Sequence, residues 1–176
     1  MEGEMRATVR TDRFISDAEL ERIGEDNPGW KVERIDGGVV MSPAEFPTDL
    51  INARLSAALV EWGDAHGYIA CGSSGGLTLS NRDVLSPDGG LLSRERWNAA
   101  PPEVRKGYSR IVPDVIVELA SPSDSRTRLR QKCARWHNEG AQFVVMIDPE
   151  SASVETWGTP LPDLDIDWLR FAKLSF

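Results

Sequence analysis

Histidine and cysteine are scarce, at two of each in 176 residues. Cys71 and Cys133 have no CxxC spacing and no histidine cluster nearby, which argues against a zinc site. In a reducing cytosol they are expected to be small core residues rather than a disulfide. Long apolar runs are missing too. The stretch Phe143 to Ile147 falls far short of the roughly 20 residues that span a bilayer. The first residues, Met1-Glu2-Gly3-Glu4, lack the basic-then-apolar order of a signal peptide. A cytoplasmic protein with no membrane partner is therefore expected. Neither an internal repeat nor a low-complexity segment is present.

Positive charge is also in short supply, with 20 Lys and Arg against 28 Asp and Glu and a net charge of -8. Proteins that coat nucleic acid without specificity take most of their affinity from basic side chains, so the balance argues against that class. The distribution is uneven: residues 82–135 carry 11 basic against 7 acidic side chains. A locally basic middle within an acidic chain suits a site for a phosphate polymer, and a solvated helix face would give the same count. With 40% hydrophobic residues, the length and composition predict one domain over 1–176 with a real core.

Ser16 followed by Glu19 is a capping-box signature and predicts a helix running to about Glu25. Two β-prone runs around Asp36-Gly37 predict a hairpin, because Asp-Gly tolerates the positive φ of a tight primed turn. From Thr48, the residues Ile51, Leu55, Ala58, Leu59 and Trp62 recur at helical spacing until Gly67. The segments "YIACG", "GGLTLS" and "VLSPDGGLL" predict a meander of short strands, and "NAAPPEVRKGYSR" a loop. A strand over "IVPDVIVELA", a helix over "SDSRTRLRQKCARWHNEG" and a strand over "AQFVVMID" follow. "ASVETW" reads as an edge strand. The expected architecture is mixed α/β: a central mixed sheet flanked by helices, with its core at about 48–148 and the helix and hairpin at 16–42 outside it.

Glu118 ends an otherwise apolar strand. If "VLSPDGGLL" and "IVPDVIVELA" pair antiparallel, Asp88 comes beside Glu118, whereas Asp114 lies roughly 13 Å farther along the strand. Two carboxylates brought together repel unless a cation lies between them, and an all-oxygen site suits Mg²⁺, with Mn²⁺ as a substitute. Lys132 falls on the core-facing flank of its helix, about 60° from the stripe of Leu129, Cys133 and Trp136, where it can reach inward or snorkel to solvent.

The segments "ERIDGGVVMSP", "LSPDGGLLSRERW" and "IVPDVIVELASPSDSRTRLRQKCARWHNEGAQFVVMIDPE" together resemble the putative restriction endonuclease family of the PD-(D/E)XK nuclease superfamily, over about Asp12 to Trp157. The resemblance implies a restriction-endonuclease-like fold with an αβββαβ core. It also implies that Asp88 and Glu118 ligate Mg²⁺. The superfamily's usual lysine stands two residues after the acid, where this chain has Ala120; the resemblance implies that Lys132, on the next helix, replaces it. Gly38 stands where an acid is common, leaving Glu33 as the nearest auxiliary carboxylate, and Gly89-Gly90 follow Asp88 where small or branched apolar residues are usual. Arg126, Arg128 and Arg130 at a helix start are candidates for holding phosphates.

These roles imply a metal-dependent endonuclease hydrolysing DNA, with a homodimer attractive because cutting both strands needs two sites. Two other readings compete with it. A catalytically weak or inactive member of the fold would bind nucleic acid or protein only, and a purely structural domain would keep Asp88, Glu118 and Lys132 as a buried ion cluster.

Overall fold

The computed structural model describes residues 7–9, 13–43 and 45–174. Helix α1 (Asp17–Asp26) starts as its sequence requires: the Ser16 side chain accepts from the Glu19 amide, and the Glu19 carboxylate accepts from Ser16. A hairpin of β2 (Trp30–Ile35) and β3 (Gly38–Pro43) turns at Asp36 and Gly37, both at positive φ (50° and 76°). Strand β1 (Ala7–Val9), which no sequence pattern announces, pairs with β3. Helix α2 (Phe46–His66) begins two residues before the expected Thr48 and ends on left-handed Gly67.

The segment expected to be a meander is divided between two sheets. Strands β4 (Tyr68–Gly72) and β7 (Gly89–Ser93) pair with each other, while β5 (Leu77–Thr78) pairs with β6 (Val84–Leu85) in the other sheet. The single strand expected over 84–92 is thus two strands interrupted at Ser86-Pro87-Asp88. Pro87 has no N–H to give a ladder, and the Ser86 amide donates to the Glu33 carboxylate instead. Helix α3 (Arg94–Ala99) runs into the first two residues of the stretch expected as a loop, which also holds a 3-10 turn at Pro102–Val104. Next come β8 (Val115–Leu119), α4 (Arg126–Asn138), β9 (Phe143–Asp148), β10 (Ser153–Gly158) and α5 (Trp168–Ala172).

One sheet runs in the order β1-β3-β2-β6-β5 and the other β10-β9-β8-β7-β4. The second is mixed, with β8 and β9 parallel and its other pairs antiparallel. It carries the expected αβββαβ frame in the order α2, β4, β7, β8, α4, β9. All five residues of β8 are buried because helices cover both faces, which explains its nearly continuous apolar run. On one face Leu55, Leu59 and Trp62 of α2 pack with Leu91, Val115 and Val117; on the other, Leu129, Cys133 and Trp136 of α4 pack with Ile116, Val144 and Met146. Each such large apolar side chain contributes about 1.5–3 kcal/mol on burial.

Strand alternation puts Glu118 on the α4 face with Ile116 and Ala120. Gly90 is required by close packing, since a Cβ there would lie 2.7 Å from the Val115 carbonyl oxygen. The glycines after Asp88 therefore seat the strand tightly. The C-terminal segment joins the α2 side through buried Phe171 and Ala172, and the Trp62 indole donates to the Asp163 carbonyl.

Candidate active site

At the seam between the two sheets is a cleft of about 450 Å³ whose lining includes Lys31, Glu33, Asn52, Asp88, Glu118 and Lys132. Its geometry follows from the chain's passage between sheets. The Asp88 amide donates to the Val117 carbonyl and the Asp88 Oδ2 accepts from the Leu119 amide at 2.7 Å, so the backbone on both sides of Glu118 holds Asp88. The antiparallel register of β7 on β8 makes this possible, as the sequence led us to expect. A single bridge, Arg34 to Val84, joins the hairpin to β6 and brings Glu33 and Lys31 to the same place.

Lys132 reaches in from α4. Its Nζ lies 2.9 Å from Glu33 Oε1, 3.1 Å from Glu118 Oε1 and 2.8 Å from the Ser86 carbonyl oxygen. The Trp136 indole N–H, one turn later, donates to Glu118 Oε1 at 2.6 Å. Asp88, Glu118, Lys132 and Glu33 thus converge. Two cleft residues carried no signal in the sequence. Lys31 pairs with Asp88 at 2.9 Å, and the Asn52 Oδ1 is buried without a hydrogen-bond partner among the described residues. Alternation along β2 places Lys31 and Glu33 on one face, but nothing local to the hairpin shows that this face meets Asp88.

The arginines do not join the cluster. Arg126 is held by Asp148 through two nitrogens, by Glu150, and by the carbonyls of Ser121 and Asp124. Arg130 pairs with Glu155 at 2.6 Å, and Arg128 is exposed on the first turn of α4. The Arg126 and Arg130 guanidiniums therefore serve ion pairs within the chain.

The model of the Uma2 family, described as putative restriction endonuclease, matches residues 17–164. The chain belongs to the Uma2 family. Its fold is also that of a crystal structure of a putative nuclease belonging to DUF820 from Anabaena variabilis ATCC 29413, with a TM-score of 0.65 at 18% identity over 90% of this chain and 99% of that one. No curated protein matches the sequence.

In this Uma2 chain, burial pushes the Glu118 carboxyl up to about 7, against the opposing pull of Lys132 and with added repulsion from Asp88. Burial acts the same way on Asp88 and Glu33, but there the lysines win. Lys31 and Lys132, with the Leu119 amide, hold Asp88 below its ordinary value, and Lys132 and Lys31, with the Ser86 amide, do so for Glu33. Burial alone would lower the Lys132 ammonium; Glu118, Glu33 and Asp88 outweigh it and raise its pKa. Two cations thus face two firmly ionised acids, and the third acid retains a proton most readily.

The donor chemistry fits a hard divalent cation. Asp88, just before β7, and Glu118 on β8 supply carboxylate oxygens, and Asn52 Oδ1, in the same cleft, is an acceptor without a partner among the described residues. Among the described residues no set of three His, Cys, Asp or Glu side chains is arranged around a metal position. Two protein carboxylates, with water and phosphate completing the shell, is a common arrangement for Mg²⁺.

Proposed function

We propose that this chain is a Mg²⁺-dependent endonuclease that hydrolyses phosphodiester bonds in DNA, with Mn²⁺ able to replace Mg²⁺. The observation that carries the reading is the meeting of Asp88, Glu118 and Lys132 in one cleft, in a chain of a nuclease family. Carboxylates buried together cost desolvation and mutual repulsion, which a purely structural role rarely justifies.

Asp88 and Glu118 would hold the metal, which supplies Lewis-acid neutralisation of the scissile phosphate and lowers the pKa of water there. Lys132 keeps its proton, because its acidic neighbours raise its pKa, so it acts as a cation and hydrogen-bond donor toward charge building on phosphorus, and not as a base. Trp136 fixes the Glu118 carboxylate by donating to one oxygen, and leaves the other to Lys132 or the metal. Lys31, which donates to Asp88 Oδ1, would be close enough to the cleft to meet a phosphate oxygen there. Arg128, exposed on the first turn of α4, is a candidate for a phosphate contact. A two-fold pair of copies would bring two clefts to one duplex.

A second reading rests on Lys31. Since it already neutralises Asp88, the cluster is charge-satisfied without metal, as in a nuclease fold that only binds nucleic acid or protein. Supercoiled plasmid incubated with Mg²⁺ or Mn²⁺ separates the two. The expected result is metal-dependent nicking, abolished by EDTA and reduced about 10²-fold or more in Glu118→Gln. DNA binding without nicking would establish the second reading, and nicking by Glu118→Gln at the wild-type rate would refute the first.

A further inference from the structure

Next to the cleft lies a second cavity of about 430 Å³, within the range of small-ligand sites, which the proposed chemistry does not use. Its apolar wall includes Ile69, Leu77, Leu92 and Ile111, and Trp97 and Tyr108 bring aromatic rings to it. The cavity adjoins the cleft, with Ser74, Gly76 and Tyr108 lining both. Gly76 is needed at the junction: a Cβ there would lie 2.5 Å from the Tyr108 ring, so only glycine lets the ring sit between the two spaces.

Arg105 supplies the polar element. Its guanidinium carbon stands 5.7 Å from the centre of the Trp97 ring, and its Nε is buried with no hydrogen-bond partner among the described residues. A buried N–H left unpaired costs free energy that a ligand acceptor would recover. Arg105 is the cation of the cavity lining, and Glu21 is its acid. An aromatic face, a stacked guanidinium, one unused donor and an apolar floor form a site for a flat heteroaromatic ring with acceptors on its edge. A phosphate backbone in the adjoining cleft would bring such a ring with it.

We infer that this cavity receives an unpaired nucleobase of the strand lying in the cleft, stacked on Trp97 and hydrogen-bonded by Arg105. The inference rests on the nuclease reading and deepens it: the preferred substrate carries a nucleotide free of its partner beside the scissile phosphate. In a paired duplex, the base must first leave the stack, at a cost that a mismatch, gap or single strand avoids.

Two measurements on the full chain test it. In the first, adenosine and ribose are titrated separately while the indole signals are followed by NMR. Adenosine is expected to shift the Trp97 indole resonance and ribose is not, with adenosine affinity falling about 5-fold or more in Trp97→Leu and in Arg105→Lys, which keep apolar volume and charge respectively. In the second, a duplex with one unpaired nucleotide is cut at least about 10-fold faster than its fully paired counterpart, and Trp97→Leu brings that ratio toward one. Equal cutting of the two duplexes, or an undiminished ratio in Trp97→Leu, overturns the inference. If no DNA is cut at all, the nuclease reading fails and adenosine decides for the cavity: Trp97-dependent binding supports the base site, and absence of binding overturns it.

Discussion

Lys132 and Glu118 face one another across the packing of α4 on its sheet, with Nζ 3.1 Å from Oε1, and the same ammonium is 2.9 Å from Glu33 on the other sheet. One cation therefore joins acids from two layers of the fold. Its removal leaves buried carboxylates without their partner, which costs far more than an exposed ion pair would.

Lys132→Met is accordingly expected to lose about 3–5 kcal/mol of stability near neutral pH, measured by urea unfolding at pH 7.5. The loss should shrink at pH 5, where the stranded acids take up protons. Lys132→Arg keeps a positive charge and most of the stability, but its planar fork cannot reproduce the three contacts of the ammonium, so DNA cleavage should still fall. Wild-type stability in Lys132→Met would mean that the lysine lies in solvent.

A second expectation concerns pH. Burial lifts the Glu118 carboxyl in the folded protein to about 7 from its ordinary 4.5, so between those values the folded state holds a proton that the unfolded chain releases. The associated stability is fully present below about 4.5 and is lost as pH rises through about 7. Glu118→Gln cannot ionise, so its melting temperature relative to wild type should climb between pH 5 and pH 8. Asp88 and Glu33 are shifted downward and do not titrate in that window. A difference that stays flat across it would remove Glu118 as the titrating group. Metal binding must also displace this proton, so Mn²⁺ affinity should increase over the same range.

Arg126 and Arg128, two residues apart, should behave differently. Arg126→Ala breaks the contacts to Asp148 and Glu150 and is expected to lower the melting temperature while leaving the salt dependence of DNA binding unchanged. Arg128→Ala removes an exposed positive charge on the first turn of α4 and should reduce the slope of log K against log salt by about one. Fluorescence anisotropy at several salt concentrations, with a thermal melt of each variant, reads both. If Arg126→Ala alters the salt slope instead, its guanidinium leaves Asp148 to meet DNA.

Much of the frame was legible because its signals are local. The capping box at Ser16, the Asp36-Gly37 turn and the helical spacing of Ile51, Leu55 and Trp62 each express contacts within a few residues, and each element formed as expected. The meeting of Asp88 with Glu118 followed from one assumed antiparallel pairing, which β7 and β8 make. The joining of β6 and β5 to the hairpin in a separate sheet was not legible. Nothing in "VLSPDGGLL" apart from Pro87 tells that its two halves belong to different layers, and the Arg34 to Val84 bridge has no sequence signature. Lys31 was missed for that reason. The ion pairs of Arg126 and Arg130, both candidates for holding phosphates, were not legible because the acidic partners, Asp148 and Glu155, lie beyond the helix that carries the arginines.

The break at Pro87 also bears on when the site can exist. Lys31 and Glu33 belong to the hairpin, Asp88 to the crossing between sheets, Glu118 to β8, and Lys132 and Trp136 to α4, so a partial chain ending before α4 has the Lys31–Asp88 pair but lacks the cation that Glu33 and Glu118 share. Contacts so distant in sequence form late, after the loop-closure entropy of both sheets has been met. On the ribosome the hairpin emerges before α4, and its Glu33 must wait for that helix before it meets Lys132. The nascent chain therefore has no assembled cleft until most of its length has been made and folded.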